Sequence, residues 1–319
     1  MKEKSKVIFF HMNQLGDLLF SLPLLAAARE QWKDFHITSI VRPALVPLLE
    51  AGHLVDRVIP RPATLAGKLS LLRNLRNESF ICSVSFSESP ETSILAYAAG
   101  IPVRIGFASA PLSFLYTKKA RRSGVPSLLN NRRLATAAEL VNVPLDYVGL
   151  VRTPNRDKIA ADDWLARENI HSQQLIVIAP GASVRRRDKC WHGEKWTAVL
   201  NDLIARGFAP VLCGAPRELE TLSLLASAAN PGVRIFSGDS LLSLAALFGR
   251  ARLFAGIDSG AMHLAAAMAR PVVALFGPTD PEQVGPQPLN QHTIIKKNDI
   301  ATIEPQEVLK AIYEKGNLV

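Results

Sequence analysis

Five segments of the 319-residue chain place polar side chains where they could act on an anionic ligand. The first, Met12-Asn13-Gln14-Leu15-Gly16-Asp17, directly follows the apolar run Val7-Ile8-Phe9-Phe10. Gly16 would permit a tight turn and close approach of a ligand, and Asp17 would stand at the start of the next helix. Two readings of Asp17 are open. It is a carboxylate that complements the helix dipole, worth ~0.3–1 kcal/mol, or a general base that takes the proton of a hydroxyl within hydrogen-bond reach. The second segment runs from Ala179-Pro180-Gly181 through Ser183 to Lys189-Cys190-Trp191. Gly181 frees the backbone, Ser183 offers a hydroxyl and Lys189 a compact cation, a set suited to phosphate. An exposed basic loop that serves only solubility has the same composition.

The third segment, Ala255-Gly256-Ile257-Asp258-Ser259-Gly260-Ala261-Met262-His263, reads as the end of a strand and the start of a helix. Asp258-Ser259 would cap that helix, and the free N–H groups at Ser259, Gly260 and Ala261 would point at an anion. His263 would lie one turn in, either as a packed side chain or as a participant. The fourth, Phe276-Gly277-Pro278-Thr279-Asp280-Pro281, is a rigid turn after a buried strand. In the fifth, Gly214-Ala215-Pro216-Arg217-Glu218, the acid at Glu218 suits either the hydroxyls of a ribose or the first turn of a helix. Sequences of the form GxxxxGK[ST], GxSxG and HExxH are absent, which argues against a P-loop, an α/β-hydrolase and a zinc protease.

Short apolar runs alternate with helical periodicity around these segments. Strands are expected at 7–10, 37–41, 55–59 and 81–86, with helices at 17–30, 43–50, 64–77 and 90–99. The pattern is vague from 107 to 150 and a linker is expected near 152–155. Alternation then resumes, with strands at 175–179, 210–213, 233–236, 253–257 and 272–276 and a last helix over 304–315. Repeated βα units imply parallel sheets with ligands at the carboxyl ends of the strands. Two α/β domains are expected, 1–152 and 153–319, with the last helix packing back towards the first.

Composition narrows the class. At 48% hydrophobic and 20% charged residues the chain is globular rather than disordered. A net charge of +9 favours anionic partners, but no nucleic-acid reader motif or stacking platform accompanies it. Cys82, Cys190 and Cys213 are widely spaced, which fits a reducing cytoplasm without a disulfide framework or zinc site. The amino terminus has the outline of a signal peptide, but His11, Asn13, Gln14 and Asp17 interrupt its apolar stretch. A soluble chain is therefore expected. Between Phe114-Leu115-Tyr116 and Arg132-Arg133, apolar and cationic groups adjoin, as expected of a surface meeting an anionic acceptor or the lipid that holds it.

At Gly16-Asp17, Pro180-Gly181-Ala182 with Lys189-Cys190-Trp191, Asp258-Ser259-Gly260-Ala261-Met262-His263 and Ala274-Leu275-Phe276-Gly277-Pro278-Thr279, the chain resembles the heptosyltransferases of glycosyltransferase family nine. The resemblance implies a GT-B fold, in which two Rossmann-like domains face a central cleft, and a reaction that needs no metal or other cofactor. The first domain would bind the acceptor and the second the nucleotide sugar. It implies inverting transfer of heptose from ADP-heptose to a hydroxyl of the lipopolysaccharide inner core, at the cytoplasmic face of the inner membrane and in peripheral contact with it. By the same resemblance Asp17 is the catalytic base and Gly16 a substrate contact. Gly181, Ser183 and Lys189 would meet phosphate, Glu218 the ribose, and Asp258, Ser259, Gly260 and His263 would form the donor-binding turn. Ser259 stands where the family usually has Thr, and His192 where Pro commonly follows Trp. Another nucleotide sugar, a protein acceptor and a non-catalytic binding module are the alternatives.

Overall fold

The computed structural model describes residues 4–11, 14–124, 126–181, 188–238 and 240–317. The chain forms two compact units, Met1–Leu150 and Val151–Val319. The first is built from β1 (Ser5–Phe10), α1 (Leu15–Gln31), β2 (Phe35–Val41), α2 (Val46–Gly52), β3 (Arg57–Pro60) and α3 (Leu65–Asn77). There follow β4 (Cys82–Ser85), α4 (Pro90–Ala98), β5 (Val103–Phe107), β6 (Lys118–Ala120) and α5 (Ser127–Ala137). All its strand pairs are parallel, in the order β3-β2-β1-β4-β5-β6. Ile8 and Phe10 of β1 and Ile40 of β2 meet Leu71 and Leu75 of α3 and Leu95 and Ala96 of α4 in one apolar cluster. Helix boundaries follow local chemistry: Thr64 Oγ1 caps α3 by accepting from Gly67 N, and Ser89 Oγ caps α4 ahead of Pro90.

The second unit begins with α6 (Asn155–Arg167), β7 (Leu175–Ala179), α7 (Gly193–Ala205), β8 (Ala209–Cys213), α8 (Leu219–Ala228) and β9 (Arg234–Phe236). It continues with α9 (Leu241–Phe248), β10 (Leu253–Ile257), α10 (Gly260–Ala267), β11 (Val272–Phe276), α11 (Pro281–Val284), β12 (Thr293–Lys296) and α12 (Pro305–Gly316). Its sheet runs β12-β11-β10-β7-β8-β9, again wholly parallel. Counted within each unit, both sheets have the order 3-2-1-4-5-6 of a doubly wound Rossmann fold. The order reverses between β1 and β4 in the first unit and between β7 and β10 in the second. A crevice opens at such a point because the connecting helices leave on opposite faces of the sheet. Close packing at the second reversal requires Gly256, since a Cβ there would come within 2.8 Å of Ala179 O.

Two regions differ from the sequence expectations. The vague stretch after 107 contains β6 and α5, and the expected linker leads at Asn155 into α6. Strand β12 and the short α11 were not anticipated. Helix α12 buries Val308, Ala311 and Ile312 against α7 and the β10–β12 edge, so its apolar stripe is used within the second unit. Among the described residues no helix is long and apolar enough to cross a membrane.

Candidate functional site

At the reversal point of the first unit, the ends of β1, β4 and β5 deliver an aromatic wall. Phe86 follows β4, Phe107 ends β5 and Phe20 lies on α1; with Arg122, Ser127, Asn130 and Asn131 they line an open recess in which Asp17 is the one carboxylate among the lining residues. Asp17 is at the third position of α1, where Gln14 N donates to its Oδ2 at 3.2 Å. Its carboxylate reaches solvent, but the crowd of protein atoms around it withdraws enough water to raise its pKa above the usual carboxylate value. The Gln14 N–H and the charges of Arg122 and Arg42 act in the opposite direction. Arg122 is held by Glu88 Oε2 at 2.6 Å and lies 5.5 Å from the Phe107 ring centre. A carboxylate with a proton affinity raised by desolvation, beside an apolar wall, is suited to accept a proton from a bound hydroxyl.

His11 lines a smaller pocket that shares Asp17 and Phe86 with this recess. Its ring stacks on Phe86 at 4.6 Å, its Nδ1 is 3.0 Å from Ser21 Oγ and its Nε2 is 3.3 Å from Ser39 Oγ. Burial lowers its pKa to about 3, so it stays neutral near pH 7. Asn131 is buried and fixes α5 to α1 by donating from Nδ2 to Phe20 O at 3.0 Å. Asn130 binds both the N–H and the carbonyl of Ser123 at 3.1 Å, which anchors the loop that carries Arg122.

The reversal point of the second unit has different contents. Trp191 donates from its indole to Ile303 O at 3.0 Å and packs edge-on against Trp196, which anchors the end of the 179–191 loop. Lys189, two residues earlier, reaches across to Asp258 at the end of β10 and donates to its Oδ2. Thr279, in the turn after β11, donates to the same oxygen at 2.6 Å. Lys296 Nζ donates to Gly277 O and so braces that turn. Asp258 thus gathers a cation and a hydroxyl at the head of α10. There, Ser259 occupies the N-cap position, but its hydroxyl makes no capping bond and, among the described residues, is buried without a hydrogen-bond partner. A native fold rarely leaves such a group unmatched, and a ligand oxygen would satisfy it together with the first N–H groups of α10. His263 is buried in the same helix; burial above all lowers its pKa to about 4, with Lys189 and His292 adding to the fall and Asp258 opposing it.

The residues singled out from sequence fall into distinct groups. Lys189, Asp258, Ser259, Gly260 and His263 come together at the second reversal point, and Asp17 lies at the first. Gly16 lies within the first turn of α1 rather than, as expected from sequence, in a turn ahead of the helix. The side chain of Ser259 does not cap α10 as expected. A Cβ at Gly181 would stand 2.8 Å from Glu218 Oε1, the far end of a flexible side chain. Glu218 in turn accepts from Ala215 N at 2.6 Å through Oε2. Ser183 lies outside the described residues. Within the basic run from Lys118 to Arg133, several of the cations already have partners. Lys118 pairs with Glu139, Arg122 with Glu88, and Arg133 binds Arg121 O and Ser123 Oγ. Sequence reasoning does not single out Phe86, Phe107 and His11 as site residues, because the order of strands brings them to Asp17. Among the described residues no three His, Cys, Asp or Glu side chains converge as metal ligands.

Comparison with known proteins agrees with this geometry. The model of glycosyltransferase family 9 (heptosyltransferase) matches residues 68–312. Lipopolysaccharide heptosyltransferase 3 of Escherichia coli is 27% identical over 281 residues, covering 83% of this chain and 81% of that one. Lipopolysaccharide heptosyltransferase 1 of Salmonella typhimurium is 24% identical over 321 residues, covering 97% and 100%. Among solved structures, the family 9 glycosyl transferase of Veillonella parvula superposes with a TM-score of 0.87 at 19% identity, covering 100% of this chain and 99% of that one. E. coli heptosyltransferase WaaC with ADP gives 0.78 at 22% identity, covering 97% and 99%. The two parallel Rossmann-like sheets are those of a GT-B enzyme. The chain is a glycosyltransferase and belongs to glycosyltransferase family 9, the heptosyltransferases.

Proposed function

We propose that the protein transfers heptose, with inversion, from ADP-heptose to a hydroxyl of the lipopolysaccharide inner core. The observation that carries this reading is the buried Ser259 hydroxyl at the head of α10, unmatched among the described residues, beside the Lys189–Asp258–Thr279 group. That arrangement suits a diphosphate, and the relative from E. coli whose structure contains ADP has the same fold. In this reading the second unit binds the donor. Lys189, Ser259 and the N–H groups at Gly260 and Ala261 meet phosphate oxygens, Glu218 meets the ribose, and Gly181, Asp258 and His263 shape the pocket. Ser183 belongs to the same phosphate-binding loop. The first unit binds the acceptor, with Gly16 and Asp17 at its recess.

The chemistry follows from charge flow. Asp17 takes the proton of the acceptor hydroxyl as its oxygen bonds to the anomeric carbon from the face opposite the diphosphate. The bond from that carbon to the phosphate oxygen breaks, and its electron pair leaves with ADP. Negative charge therefore grows on the diphosphate, where a fixed cation and fixed N–H dipoles stabilise it most in the transition state. The acceptor is membrane-anchored, which places the enzyme at the cytoplasmic face of the inner membrane. Incubation with a panel of nucleotide sugars and truncated lipopolysaccharide acceptors, with products weighed by mass spectrometry, tests the reading. ADP release and a heptose mass increment should require both partners. Transfer from another nucleotide sugar alone, or to protein alone, would overturn it.

A further inference from the structure

The outer faces of α3 and α4 carry a surface that neither unit's chemistry uses. The two helices pack side by side on one face of the first sheet, and polar ties hold them at both ends. Near one end, Lys68 Nζ and Arg61 both bind Glu91; near the other, Arg76 Nε donates to Ala98 O at 2.7 Å. Between these ties the solvent side mixes apolar side chains with the exposed Ser70, Arg73 and Asn74 of α3. All three exposed positions of α4 are Pro90, Ile94 and Tyr97. On α3, Leu65 and Leu69 lie one turn apart and are 74% and 49% exposed. A 3-10 turn at Ser113–Leu115 adjoins α4 and adds Phe114, which is 72% exposed. Single exposed apolar residues are ordinary, but five on adjacent elements of one unit mark a contact surface.

The charges around this surface have one sign. Arg73, Arg76 and Arg104 border it, and none has a carboxylate partner among the described ion pairs. Arg76 and Arg104 bind only backbone carbonyls, and the Arg104 guanidinium lies over the Tyr97 ring at 5.5 Å. Of the nearby acids, Glu91 is neutralised by Arg61 and Lys68, and Glu78 by Arg57. Apolar side chains ringed by uncompensated arginines, with an aromatic at the margin, match the boundary between the acyl chains and the headgroups of an anionic bilayer. The surface also lies near the recess. Helix α4 begins four residues after Phe86, and Glu88 between them holds Arg122 in the recess wall.

We propose that the α3–α4 face, with Phe114, docks the enzyme on anionic lipid and so brings the Asp17 recess to an acceptor carried by that lipid. The second clause rests on the acceptor assignment above; the docking itself does not. The test is flotation of the full-length protein with vesicles of phosphatidylethanolamine and phosphatidylglycerol, and with vesicles of phosphatidylcholine alone. Wild type should float with the anionic vesicles and lose binding as salt rises. L65Q/L69Q/I94Q should reduce partitioning at least ~100-fold through lost apolar burial, and R73E, which removes no packed side chain, by roughly tenfold. Transfer to a deacylated, water-soluble acceptor should be unchanged in both variants. Equal flotation of wild type and R73E, or equal binding to neutral vesicles, overturns the proposal. So does light scattering that shows wild type as a dimer and L65Q/L69Q/I94Q as a monomer, since the face would then join two copies of the chain. Lipid binding that persists without heptosyl transfer would instead count against the acceptor reading alone.

Discussion

In the first unit, the crevice between β1 and β4 is walled by Phe20, Phe86 and Phe107 and holds a single carboxylate. In the second, the equivalent crevice between β7 and β10 holds Lys189, Asp258, Thr279 and a Ser259 hydroxyl unmatched among the described residues. The strand order is the same in both, so the scaffold does not decide the chemistry; the loops that leave the strand ends do. The difference fits two halves of one displacement. A base benefits from a poorly hydrated carboxylate whose affinity for a proton is raised. A leaving diphosphate benefits from fixed positive charge that need not rearrange as the bond breaks.

This contrast can be broken at several points. The largest effect is expected at the first unit's carboxylate: D17N should lower turnover by ~100-fold or more, the range of general-base catalysis, with ADP affinity by calorimetry unchanged. Near-normal turnover would remove Asp17 from that role. The raised Asp17 pKa also predicts that kcat/KM falls on the acid side at a higher pH than an ordinary aspartate would give, and that D17N removes this limb.

Stability gives the next effect. His11 has its pKa lowered from 6.5 to about 3 by burial, so between those values the unfolded chain binds the proton and the folded chain does not. Stability must therefore fall as pH falls through this window, by about 3 kcal/mol between pH 7 and pH 4.5 from this group. In urea titrations at the two pH values, H11N should lose less on acidification than wild type; an equal loss would mean that His11 is not held neutral. Smaller still, K189Q should weaken ADP binding by roughly 10–100-fold through the loss of a charge-assisted hydrogen bond, with little change on the acceptor side. The smallest change is expected for S259A. Because the hydroxyl has no partner among the described residues, its removal should leave Tm unchanged while ADP binds about 3–10-fold more weakly. A lower Tm would show that Ser259 is structural.

How much of this the sequence shows depends on what each segment buries. Strands β7, β10 and β11 are buried throughout, and their apolar runs Leu175–Ala179, Leu253–Ile257 and Val272–Phe276 can be read directly. The loops that follow them carry Lys189, Asp258 and Ser259, so most of the second unit's site is legible. Helix α5 is not, because its buried face includes Asn130 and Asn131, whose amides satisfy backbone groups rather than pack as hydrocarbon. Strand β6 reads as a basic run because it is a three-residue edge strand in which only Ala120 is buried. The aromatic wall around Asp17 is illegible for a different reason: Phe86 and Phe107 approach it through the order of strands, which no local pattern specifies.

The division of labour between the units is tested most directly by hydrogen–deuterium exchange of the wild-type protein with and without ADP. Amides at the head of α10, in Ser259–Met262, and in the loop ending at Lys189 should exchange more slowly with ADP bound, while those of Gln14–Phe20 keep their rates. Protection confined to Gln14–Phe20, with the head of α10 unaffected, would contradict the account.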